Sequence, residues 1–154
     1  MSRAQLDQIA WETIKTASVS TASPAGLKAS GRPRDYAELA ELTARKDYET
    51  AWSEFLHEFF RYRTAEFFIV PPPRSFSPQR RALLAGVAEF LSTEFGLPVP
   101  EWVNDREYFL GEMWDPWEDI CPDLESLRQV RIDRSHPMFL KRNVVYETRN
   151  LITL

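Results

Sequence analysis

"SPQRRALLAGVAEFLSTEFG", residues 77–96, decides the fold class. Ser77 before Pro78 is a helix-start signal. The hydroxyl caps a free amide of the first turn, and proline fits the first helical position, where its missing N–H would have gone unbonded. Leu83, Leu84, Val87, Ala88, Leu91 and Phe95 then recur at helical spacing and supply a buried face. Gly96 is able to take the backbone turn that ends a helix. The spacing therefore predicts a long helix over 78–95 with one buried face.

Upstream, three prolines in "AEFFIVPPPR" stop any helical pattern, because they lack amide donors and impose an extended chain. Before them, Tyr48 to about Arg63 carries Ala51, Trp52, Phe55, Leu56, Phe59 and Phe60, a wide apolar stripe for a core helix. Asp35 caps a shorter helix, Tyr36 to about Arg45, with Glu38 placed for a capping box. Ala4 to about Thr16 reads as a short helix with Leu6, Ile9, Ala10 and Ile14 near one face. "TASVSTASPAGLKASGRPRD", residues 16–35, is poor in large apolar groups and reads as a linker. Downstream, "EWVND" reads as one helical turn, 108–123 as an irregular loop whose aromatics fold back on the core, and Leu124 to about Val130 as a short helix. Trp102, after "LPVP", is expected to be largely buried at the end of the 78–95 helix. The expectation is a mainly α protein: an N-terminal arm over 1–34, and one helical domain over 35–154 with a long aromatic loop.

The chain has 154 residues, a net charge of −4, 44% hydrophobic residues and 13% aromatics. That composition supports a packed core, and the negative balance argues against general attraction to DNA or acidic membranes. No secretory signal or bilayer-spanning stretch is read, so a cytoplasmic location is expected.

The chemistry-bearing residues are sparse. "HEFF" begins like a metalloprotease helix, but Arg61 stands where the second histidine would be, and His136 is the only other histidine. His136 reads as a turn cap. Cys121, between Ile120 and Pro122, reads as a buried inert thiol. No glycine-rich phosphate loop or nucleophile elbow is present. No catalytic residue, metal site or cofactor is expected.

Charge is divided along the chain. Residues 101–125 hold nine carboxylates against Arg106 alone, whereas 126–154 hold six cations against Asp133 and Glu147. Pairing between the two segments is favoured over contact with nucleic acid. "HPMFLKRNVV", residues 136–145, sets Arg142 and Asn143 inside an apolar run. A structural polar hub that satisfies loop backbone is the favoured reading; a partner contact and a nucleic-acid contact are the alternatives.

Two stretches carry a resemblance. "LLAGVAEFLSTEFGLPVPEWVND" is similar to a segment of a family of small bacterial proteins, in which an Ala-Glu helix precedes a Gly-Leu-Pro-x-Pro-x-Trp turn. "SHPMFLKRNVVYETRNLITL" is similar to that family's ending, with its proline, an aromatic two positions on, and an Arg-Asn pair. The resemblance spans roughly residues 48–154. Members are often encoded beside nucleotidyltransferase-like proteins in arrangements that look like toxin–antitoxin pairs. It implies a non-enzymatic, antitoxin-like protein that binds and neutralises or regulates a protein partner, such as a nucleotidyltransferase-like toxin. A transcriptional regulator touching DNA through the basic C-terminal region is the alternative, although the first 47 residues show no helix-turn-helix. Leu6, Ile9 and Trp11 on the first helix, with Trp114 and Trp117 in the loop, are the candidate partner contacts. The first helix is too short to stand alone in water, so it must dock on its own core, on a twin copy or on a partner; docking on another chain is the favoured expectation and docking on its own core the alternative.

Overall fold

The fold is described from a computed structural model, which describes residues 2–17, 31–118, 120–121 and 126–152. Six α-helices run through these residues: α1 (Arg3–Thr16), α2 (Tyr36–Arg45), α3 (Tyr48–Tyr62), α4 (Pro78–Glu94), α5 (Arg128–Arg134) and α6 (Pro137–Leu140). Single-turn 3-10 helices lie at Ala65–Phe68, Glu101–Asn104, Arg106–Tyr108 and Thr148–Leu151. The protein is mainly α, one small domain, with only an isolated bridge between Trp114 and Val144 among the described residues. No helix among these residues is long and apolar enough to cross a membrane.

Local signals set the helix starts. Ser77 Oγ accepts from the Arg80 amide, and Asp47 and Asp35 do the same for Thr50 and Glu38. The expected capping box at Asp35 is only half made. Glu38 accepts instead from the Arg34 amide and pairs with the Arg34 guanidinium. The full reciprocal box is at α1, where Ser2 and Gln5 cap each other. Helix α3 ends at Arg63, which takes a left-handed φ of 52°.

Helix α4 sits at the centre. It is buried not on one face but around most of its girth from Arg81 to Ser92. The turns at 101–104 and 106–108 and helix α6 pack against it, while α2 and α3 pack on each other. Small residues let neighbours come close. At Gly86 an added Cβ would lie 2.6 Å from Cδ1 of Phe139, so α6 packs into a notch that only glycine leaves open. The core joins every helix from α1 to α4 with α6, through an aromatic cluster including Phe55, Phe59, Phe67, Phe68 and Phe90.

The N-terminal segment corrects one expectation. Helix α1 docks on its own chain, because Trp11 inserts between Phe60, Phe90 and Phe95, with ring centroids 5.1 Å from Phe90. Ion pairs from Arg3 to Glu147 and from Lys15 to Glu94 hold both ends. Arg63 adds a hydrogen bond to the Lys15 carbonyl. Most of the predicted linker lies outside the described residues. Trp102 is half-buried rather than largely buried. It lies against Tyr36 and Tyr108, and its indole N–H donates to the Phe68 carbonyl at 2.8 Å. The helix expected over 124–130 instead runs from Arg128 to Arg134, anchored where Arg131 meets Asp115. Residues 122–125 lie outside the described set.

Candidate interaction surface

A cleft of ≈ 300 Å³ opens between the start of α3, the start of α4, the 116–120 loop and the C-terminal segment. Its floor is apolar and aromatic: Trp52, Leu83 and Tyr146 are all buried and all line it. Trp117, 44% exposed, and Ile120, 66% exposed, line it from the loop. Tyr48 and Trp52 stack at 6.0 Å with an interplanar angle of 12°, and Trp52 continues the stack onto Phe55. One wall of the cleft is thus continuous with the hydrophobic core, which makes it rigid.

Arg80 and Glu49 are the charged residues lining this cleft. Arg80, on the first turn of α4, lays its guanidinium over the Tyr48 ring at 3.9 Å and lies 5.6 Å from the centroid of Trp114. These are cation–π distances. No carboxylate lies within 4.0 Å of it among the described residues, whereas the half-buried Arg131 and the buried Arg142 each have one. Tyr48 Oη is buried without a hydrogen-bond partner. Burial pushes its phenol up to about 12, with the Arg80 charge pulling the other way. Burial raises Tyr146 as well.

The loop that carries Trp117 is held from behind. Asp115 is buried, accepts from the Trp117 amide at 2.9 Å, and receives both Nε and Nη2 of Arg131 in a two-pronged pair. Glu118 meets Arg128 at 3.8 Å. The acidic loop and the basic segment therefore do pair, at these points. Cys121 is exposed, which corrects the expectation of a buried thiol. Its amide bonds to the Trp117 carbonyl, and this tight turn points the residue out of the core despite its apolar neighbours.

Arg142 and Asn143 support the segment that leads into this loop. The Arg142 side chain is fully buried. It donates to Glu89 Oε1 at 2.9 Å, to the Met138 carbonyl at 2.6 Å and to the Val103 carbonyl at 2.8 Å. Its planar fork so ties α4, α6 and the 101–104 turn together. Burial pushes the Glu89 carboxyl up, but the hydrogen bonds and charges of Lys141 and Arg142 outweigh this and hold it below its ordinary value. Asn143 takes a φ of 60°, and its Nδ2 reaches the Leu110 carbonyl at 2.6 Å. Its own carbonyl accepts from the Trp114 amide, and Val145 donates back to the Trp114 carbonyl. These contacts hold the irregular loop that leads into the cleft wall.

The five candidate partner contacts separate. Trp117 lies on the cleft and Trp114 beside Arg80, half-buried. Leu6 and Ile9 are about half exposed on α1, one helical turn apart. Trp11 faces inward and is 4% exposed, so it is a core residue rather than a contact. Sequence reasoning missed Tyr48, Arg80 and Tyr146. Each looks like ordinary helix or tail residue, and only the tertiary fold brings them together. His136 caps α6 through Nδ1, which accepts from the Met138 amide, and burial lowers its basicity. Among the described residues no group of three or more His, Cys, Asp or Glu side chains is placed to hold a metal ion. Compared with family models, with curated proteins and with solved structures, the chain matches none.

Proposed function

We propose that this chain is a cytoplasmic, non-enzymatic protein that binds and neutralises or regulates a protein partner, in the manner of an antitoxin. A nucleotidyltransferase-like protein is the first candidate partner, on the strength of the sequence resemblance over residues 48–154. The observation that carries the reading is the exposure of Trp117 and Ile120 together at a rigid aromatic cleft. Two large apolar groups beside a preformed pocket are what an interface anchor needs, since tryptophan contributes heavily when it becomes covered. A protein partner is favoured over DNA because four of the six cations of the C-terminal segment are already engaged. Arg128 pairs with Glu118, Arg131 with Asp115, and Lys141 and Arg142 with Glu89.

The test is co-expression with the product of the neighbouring gene. A co-eluting complex that loses stability on Trp117→Ala, with relief of any growth arrest caused by the partner alone, is the expected result. Independent elution of the two proteins, with no effect on growth, contradicts the reading.

A further inference from the structure

The cleft has a sign as well as a shape. Arg80 is half-buried, one face resting on Tyr48, and no carboxylate of the described residues lies within 4.0 Å of its nitrogens. Among the described acids of the adjoining loop, Asp115 is held by Arg131 and Glu118 by Arg128. Glu49 is the opposing charge on the lining, and it is exposed to solvent, where a charge is well screened. A guanidinium stacked by its face keeps its N–H edge for an oxygen acceptor, and a carboxylate matches that edge best. Beside it, Trp117 offers an uncovered ring.

We propose that this cleft is a recognition site for a partner segment carrying an acidic side chain next to an aromatic one. The carboxylate engages the Arg80 edge, and the aromatic ring packs into the floor of Trp52, Leu83 and Tyr146 against Trp117. This rests on the partner-binding reading and specifies the chemistry of the bound segment. An acidic segment is favoured over a basic one because Arg80 is partly shielded from water whereas Glu49 is not.

Panning a library of random short peptides on the full-length chain tests the assignment. The expected result is enrichment of sequences with Asp or Glu beside Phe, Tyr or Trp. Binding of a synthetic peptide of that kind should weaken about tenfold in Arg80→Gln, the loss of one charge-assisted contact. It should weaken less in Arg80→Lys, hold or tighten in Glu49→Gln, and fall as salt is raised. Thermal melts of each variant separate lost binding from lost folding; Glu49→Gln, on an exposed residue, gives the sign of the site even if Arg80→Gln folds poorly. No enriched peptide, or enrichment of basic sequences whose binding Glu49→Gln weakens, overturns the proposal. A complex with the neighbouring gene product that is indifferent to Arg80→Gln overturns it too, and leaves partner binding itself standing. Acidic aromatic peptides bound at Arg80, with no such complex, uphold the site and remove that partner.

Discussion

Arg142 has the largest side chain among the fully buried described residues, and its surroundings explain how a cation is tolerated there. Two backbone carbonyls and the Glu89 carboxylate take up its hydrogen-bonding edges, although Nε stays unpartnered. Removing one member of such a set strands the others. Arg142→Ala is expected to lower stability by about 3 kcal/mol, with Arg142→Lys recovering only part, because an ammonium lacks the planar fork. Chemical denaturation of the three proteins checks this. The buried phenols give a second prediction. Tyr48 ionises near 12 in the folded protein against 10.0 for the free side chain. The unfolded chain therefore releases this proton first as pH rises. The contribution is complete below pH 10.0 and is lost progressively toward 12, so the melting temperature should fall over that window.

At the scale of elements, the strongest helices were legible because their signals are local. Ser77-Pro78 starts α4, Asp47 and Asp35 cap α3 and α2, and the apolar stripe of α3 faces the core. What the sequence concealed depends on partners far along the chain. Helix α6 is four residues long, and what holds it comes from outside its own sequence pattern: the His136 cap, the packing of Phe139 on Gly86 and the Arg142 hydrogen bond to the Met138 carbonyl. The inward turn of Trp11 could not be told from the outward turn of Leu6 and Ile9, because a short helix with apolar residues on two sides does not say which side is covered. Burial around α4 was missed for a related reason: alanine and glycine positions look neutral in a pattern and become contacts only when another element arrives. Gly86 tests this packing. Alanine there raises helix propensity, yet its methyl group would collide with the Phe139 ring. Gly86→Ala is expected to destabilise by about 1–3 kcal/mol, and pairing it with Phe139→Leu should recover part of the loss. An equal or higher melting temperature for Gly86→Ala alone would mean that α6 gives way freely.

For the whole molecule, buried polar contacts support the loop that forms one wall of an apolar opening. Arg142 and Asn143 fasten the 101–114 segment, the Asp115–Arg131 pair fastens the loop beyond it, and Trp117 is thereby presented on a fixed support. The sequence offered Trp117 as a contact and Arg142 as a hub. It did not offer the cleft, since Tyr48, Arg80 and Tyr146 come from three separate elements and none carries a motif. In the proposed reading, this cleft is the face that meets a partner. Amide hydrogen exchange of the chain, alone and with the product of the neighbouring gene, tests it most directly. Added protection is expected around residues 48–52, 80–83 and 114–121. Protection confined to the Leu6 and Ile9 face of α1, with the cleft segments unchanged, would contradict it.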